Sequence, residues 1–255
     1  MEFYQFIFWE ATKALALIFL GLLAAKAVLM QRRSPRTSAT GAAPYALFGL
    51  LIPAVACGAV ILGNDIAAEN YYWASGHDLD SGNRDQAYSN ALRAVNLRPG
   101  RLPYWQQLER AKFALRQYDS VLADTPALAA LSGNKLGEED RLRIADCYYN
   151  LGQPAQAIVQ TRMVIRHHPS YAFAYLLQGA SLLALRRYAD AAQTFLTALR
   201  MFPTFVPAVE GLAQAYFLGG SPRAAAQVLQ ETKHFHFTPQ ARQRFLELEK
   251  LYAQQ

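Results

Sequence analysis

Cysteine is nearly absent from this 255-residue chain, which has Cys57 and Cys147 and no others. The two lie in segments of very different composition, so they are not expected to pair. No CxxC pair, HExxH motif, phosphate-binding glycine loop or serine nucleophile elbow occurs in the sequence. Histidine is also scarce. His167 and His168, and the His234 and His236 of "HFH", are the best metal candidates. Adjacent helical histidines point in different directions, and no cysteine or acidic cluster completes either set. They read as surface or packing residues. No catalytic residue, cofactor-binding residue or metal site is therefore assigned, and the chain reads as non-enzymatic and cofactor-free.

Charge is missing from one long stretch. "YALFGLLIPAVACGAVIL", Tyr45 to Leu62, carries no charged residue and is long enough for a membrane-spanning helix. An earlier run, Ala14 to Met30, is apolar except for Lys26, whose long side chain can reach headgroups. Phe3, Tyr4, Phe8 and Trp9 resemble an interfacial aromatic belt. A cleaved signal peptide fits poorly, because the start is acidic and Arg32, Arg33 and Arg36 follow the apolar run. The reading is a membrane hairpin over residues 1–63, with spans at about 5–30 and 44–63 and a connector at 31–43. The connector carries only positive charge and "GNDIAAENYYW" only negative. The positive-inside rule then puts the connector in the cytoplasm and both chain ends outside it.

Within the hairpin, Glu10 and Lys13 are costly in lipid unless paired or at the headgroups. Gly49, Ala54 and Gly58 are small residues that let helices approach closely, and Pro53 frees the carbonyl of Gly49. These six residues are expected to pack against membrane helices of a partner subunit, with lipid around them. The net charge of +6 and apolar fraction of 53% suit a hairpin joined to a helical array.

What the chain has in abundance is a repeated alanine pattern. In "RYADAAQTFLTALRMFP", Ala191, Phe195 and Ala198 form one stripe on a helix, and Pro203 follows its end. Ala157, Thr161, Val164 and Pro169 stand 34 residues earlier, and Ala225, Leu229 and Thr232 stand 34 residues later. Ala87, Ala91, Ala94 and Pro99 repeat the offsets near the start. A preceding helix carries small residues at Ser75, Ala145, Gly179 and Ala213, and turn glycines recur at Gly82, Gly152 and Gly220. Such a period, with two helices per unit, is the signature of a helical solenoid.

These residues resemble the tetratricopeptide repeat (TPR) family. The resemblance implies an all-α fold, a right-handed superhelix of helix pairs, which here follows the two membrane helices read from the apolar runs. Five units are expected over 64–239, at about 68–101, 102–137, 138–171, 172–205 and 206–239, with a capping helix over 240–255. The second unit departs from the pattern. Glu109 replaces the small residue, Pro126 should interrupt its second helix, and a loop is expected around Ser132–Gly137. Glu138, Glu139 and Asp140 then favour a helix start. Cys147 takes a slot filled by Ser181 and Ala215 in later units, which suits a small packed residue.

The family binds through the concave face formed by the first helix of each unit. Its groove positions correspond here to Tyr72, Gln106, Arg110 and Phe113, then Leu142, Asp146, Tyr149 and Asn150. Phe173, Leu176, Leu183, Glu210, Gln214 and Phe217 continue the row. The lysine and asparagine set that clamps a terminal carboxylate in some members is missing, so an apolar groove for a helix or extended segment is expected. Arg162, Arg166, Arg186, Arg187 and Arg200 gather in the middle repeats and would suit an acidic protein or anionic lipid. Nucleic acid is not an expected partner outside the cytoplasm. The resulting expectation is a scaffold in a bacterial inner membrane, with the N-terminus and repeats on the periplasmic side, serving as an accessory subunit or assembly factor of an envelope complex. The alternative is a periplasmic assembly chaperone, similar in layout to proteins of cytochrome c maturation, although the connector here is much shorter. An enzyme of unknown type is the third reading.

Overall fold

The computed structural model describes the backbone of residues 43–232 and 238–253, with side chains described from residue 55. Among the described residues there are eleven helices and no strand. The chain divides into two compact units, residues 1–111 and 112–255.

The first unit contains α1 (Ala43–Asp80), α2 (Arg84–Leu97) and α3 (Leu102–Ala114), the last of which runs just past its edge. The change in composition near Gly63 is not a break in the backbone, since α1 is one helix of 38 residues. Its second half packs through Ala68 against Ala87, Ala91 and Ala94 of α2, all fully buried, with Tyr104 and Leu108 of α3 closing the cluster. Methyl-sized side chains at these positions let the helix backbones approach. Ser75 sits in the same seam, where its hydroxyl donates to the Ala87 carbonyl at 2.8 Å and accepts from Gln107 Nε2 at 3.2 Å. Its burial therefore leaves no hydroxyl unsatisfied.

The second unit contains α4 (Tyr118–Leu131), α5 (Glu138–Asn150), α6 (Pro154–His167), α7 (Ala172–Ala184), α8 (Tyr188–Met201), α9 (Val206–Leu218), α10 (Pro222–Glu231) and α11 (Pro239–Ala253). Successive helices from α5 to α10 pack on one another, and the first helices α5, α7 and α9 also touch across the pairs. The stripe residues Ala157, Thr161, Val164, Ala191, Ala198, Ala225 and Leu229 are all fully buried. Cys147, Ser181 and Ala215 are each buried at the equivalent small position of their own helices, as their spacing predicts.

Phe195 is the largest side chain among the most deeply buried residues, with 1% exposure. Its ring on α8 lies between Gly179 of α7 and Gly211 of α9. A Cβ built on either glycine would come within 2.5 Å of Phe195 Cε1. The ring is a wedge that admits no side chain on either flanking helix at that level. The last pair is closed by α11, whose Phe245 and Tyr252 cover Val209, Ala213, Ala225 and Leu229.

All the paired helices turn the same way. Gly82, Gly152 and Gly220 adopt φ of +83°, +72° and +82°, and Arg116 and Arg186 take the equivalent place with φ of 59°. In each turn the left-handed residue donates to a carbonyl three residues back and the next residue to one five back, as for Gly152 to Tyr149 (3.0 Å) and Gln153 to Tyr148 (2.8 Å). This closes the helix end with its carbonyls satisfied.

One expectation is corrected. Pro126 does not interrupt its helix, because α4 runs unbroken from Tyr118 to Leu131 with Pro126 inside it. Proline removes a single bond of the helical ladder. Pro126 is exposed while Val121 and Leu128 on the other face are fully buried, so packing of that face holds the helix together. The loop expected near Ser132–Gly137 is present between α4 and α5, and α5 starts at Glu138 with three acidic residues in its first turn.

Among the residues whose side chains are described, from residue 55 on, no helix is long and apolar enough to cross a membrane. The first expected span and its connector, with Glu10 and Lys13, lie outside the described residues. So do the side chains of Gly49, Pro53 and Ala54, and His234 and His236. Gly58 is half-buried on α1.

Candidate protein-binding face

In the second unit the row expected to bind lies on α5, α7 and α9. Along α5, Leu142 and Asp146 are half-buried and Tyr149 and Asn150 exposed, whereas Ile144, Ala145 and Cys147 between them are buried. The same alternation recurs on α7, where Phe173 is 60% exposed and Leu176 and Leu183 are half-buried, while Tyr175, Gly179 and Leu182 face the core. On α9, Gln214 is exposed, and Ala213 and Ala215 beside it are buried. The helical period thus brings these side chains to one face of three helices, of which α7 touches both α5 and α9.

The chemistry of this face is apolar with a few fixed polar groups. Phe173 stands edge-on to Phe205, with ring centroids 5.5 Å apart. Asp146 accepts from Asn150 Nδ2 at 2.7 Å. Burial pushes the Asp146 carboxyl above its usual range, partly offset by the Asn150 hydrogen bond. Burial of this kind disfavours the charged form of the group.

Two residues at the end of the row are already engaged. Glu210 forms an ion pair with Arg244 of α11 at 3.0 Å. The Phe217 ring stacks on Tyr252 of α11, with centroids 4.4 Å apart. Burial raises the Glu210 carboxyl above its usual range, against the pull of Arg244, and burial likewise raises the Tyr252 hydroxyl. The capping helix therefore covers this stretch of the face in the chain itself. Sequence reasoning missed this because a closing helix does not follow the repeat period.

The remaining positions lie on earlier helices. In the first unit, Tyr72 is half-buried with its ring 5.4 Å from that of Tyr104, Gln106 is half-buried, and exposed Arg110 donates to Gln107 Oε1 at 3.4 Å. Tyr104 anchors this unit by donating to Glu69 at 2.6 Å, and burial followed by Glu69 pushes its pKa up to about 12. In the second unit, Phe113 is half-buried against Tyr118, with centroids 5.5 Å apart.

The arginines do not form one patch. Arg186 and Arg187 precede α8, while Arg200 lies near its C-terminal end, roughly 20 Å of helix away. Arg187 is paired with Asp190 at 2.6 Å. Arg162 and Arg166 are exposed on α6. His168, exposed beyond that helix, meets Glu138 at 2.7 Å. Among the described residues no group of three metal-ligating side chains comes together.

Residues 142–204 and 176–242 match the family model for the tetratricopeptide repeat, so this stretch carries TPR repeats. No curated protein matches the chain significantly. Several solved structures do. MamA from Desulfovibrio magneticus RS-1, residues 41 to the end, aligns with a TM-score of 0.60 and 16% identity over 72% of this chain and 96% of that one. TTC0263, a thermophilic TPR protein of Thermus thermophilus, gives 0.55 and 19% over 71% and 98%. YrrB, described as a TPR protein with an unusual peptide-binding site, gives 0.56 and 12% over 71% and 90%. At these identities the likeness is one of fold: an all-α, TPR-like solenoid.

Proposed function

We propose that this protein is a non-catalytic scaffold that holds other proteins on the first-helix face of its repeats and is anchored in a membrane by its N-terminal apolar segments. The observation that carries the binding role is the row on α5, α7 and α9. Tyr149, Asn150, Phe173 and Gln214 are exposed there, beside core residues that already hold the helices together. Exposed aromatic and polar groups on a rigid face suit an amphipathic helix or an extended segment. The peptide-binding site described for YrrB supports such a use of this fold.

The anchor rests on the uncharged run Tyr45–Leu62 and the earlier run Ala14–Met30. The arginines between them favour a bacterial inner membrane with the repeats on the periplasmic side. Glu10, Lys13, Gly49, Pro53, Ala54 and Gly58 would pack on a partner's membrane helices. An accessory subunit or assembly factor of an envelope complex fits these two contacts, one in the membrane and one outside it.

Purification of the full chain in mild detergent, followed by quantitative mass spectrometry, tests the proposal. A partner retained at fixed stoichiometry supports the subunit. Many unfolded clients at low occupancy would favour an assembly chaperone instead, and turnover of a substrate by the purified chain would overturn the scaffold reading.

A further inference from the structure

The turn between α2 and α3 lies beside the place where the apolar run ends. Arg98, in that turn, donates from Nη2 to the Ile61 carbonyl at 3.4 Å and pairs with Asp65, both on α1. The turn "RPGR" is thereby set level with residues 61–65, at the edge of the uncharged stretch. Below that level, Ala56, Cys57, Ala59, Val60 and Ile61 are exposed, Val60 at 62% and Ile61 at 52%. Apolar side chains stand out on more than one side of α1 there, so no single helix packed against it would cover them. A lipid surround would.

At the same level stand groups that favour the headgroup region. Arg101 is exposed, its guanidinium 5.9 Å from the centroid of the Tyr104 ring. Trp105 is half-buried and donates from Nε1 to the Pro99 carbonyl at 2.7 Å, which ties the ring to the turn. Tryptophan at the end of an apolar segment suits the aromatic belt that bilayer interfaces favour, and an exposed basic group beside it is attracted to an anionic surface. The helix continues from Ala43 through this level to Asp80 without a break, so its repeat end is rigidly coupled to its apolar end.

We propose that the α2–α3 turn, held in place by Arg98 and presenting Arg101 and Trp105, is a docking surface for the anionic headgroups of a bilayer entered by the apolar part of α1. This rests on the membrane anchorage proposed above. It fixes the first repeat against the bilayer instead of leaving it on a free tether, and it makes anionic lipid the chemical partner of that turn.

The test uses the full chain in vesicles of neutral phosphatidylcholine, with or without 30% phosphatidylglycerol. A fluorophore is placed at Gly100→Cys, where an added Cβ meets nothing within 4 Å, and as a control at Asp85→Cys at the far end of α2. Both are made in a Cys57→Ala, Cys147→Ser background. Flotation reports membrane association, and quenching by a headgroup-labelled lipid reports depth. The expected result is flotation in both vesicle types, with quenching at residue 100 at least threefold that at residue 85. Phosphatidylglycerol should strengthen it, and Arg101→Gln, an exposed change that leaves the Arg98–Asp65 pair intact, should halve the gain. Flotation with equal, weak quenching at both sites, or with no effect of phosphatidylglycerol, overturns this docking surface and leaves the anchor standing. Failure to float overturns both.

Discussion

The wedge at Phe195 makes a demanding test of the packing, because the structure predicts a change of sign. In a helix interior alanine is favoured over glycine by about 1 kcal/mol. At Gly211 of α9, however, the added methyl would meet the buried Phe195 ring at 2.5 Å, where something must shift. Overpacking of this kind costs roughly 1–3 kcal/mol, so Gly211→Ala is expected to destabilise the parent modestly. Phe195→Ala alone should cost about 3–5 kcal/mol, as loss of a buried aromatic does. In the Phe195→Ala background the clash is gone, and Gly211→Ala should become stabilising by up to about 1 kcal/mol. The coupling energy between the two sites would then be roughly 1–3 kcal/mol, within the range of contacting residues. Urea unfolding of the full chain in mild detergent, followed by far-ultraviolet circular dichroism, gives the four midpoints of the cycle. If Gly211→Ala shifts the midpoint equally in both backgrounds, Phe195 does not wedge against α9 and the reasoning is refuted.

Other expectations are briefer. Ala87→Trp and Ala191→Trp each force an indole into a slot where alanine is fully buried, and each should destabilise the fold by about 1–3 kcal/mol or more; unchanged melting of both variants would contradict the helix pairing. The Asp146 carboxyl is raised by burial above its ordinary 3.8, so its ionisation opposes folding as pH rises from about that value through its folded pKa and the penalty is fully present above it. Asp146→Asn should therefore flatten the fall in stability over that interval, and an unaltered pH profile would show that burial does not act on this group. The proposed orientation predicts that a cysteine at Thr40 is shielded from an impermeant thiol reagent in spheroplasts while one at Ser221 is labelled; the reverse pattern would place the repeats in the cytoplasm.

Much of the helical pairing was legible because alanine at a close helix crossing is a steric requirement that leaves a periodic mark. Ala157, Ala191 and Ala225 are such crossings, and each is fully buried. What the period does not encode was harder to read. The small residues expected against the stripes included Ala213, yet the position next to the Phe195 ring on α9 is Gly211, which belongs to a contact between successive repeats. Pro126 looked like an interruption because its local cost is visible in sequence, while the packing of Val121 and Leu128 that outweighs it is not. On the binding face, the alternation of exposed and buried residues along α5 and α7 follows from the helical period. The cover that α11 places over Glu210 and Phe217 comes from a helix outside that period. Of the arginines of the middle repeats, Arg186 and Arg187 are held at one end of α8 and Arg200 near the other, because a helix separates what the chain places close together.

Site-specific photocrosslinking in cells addresses the binding face most directly. A photoreactive phenylalanine analogue is placed at Phe173, exposed on the first-helix face of α7, and in a separate strain at Gln193, exposed on α8. The scaffold account predicts a discrete protein adduct from position 173 that is absent or several-fold weaker from position 193. Adducts of equal yield from both positions, or from position 193 alone, would contradict the claim that the first helices of these repeats hold the partner.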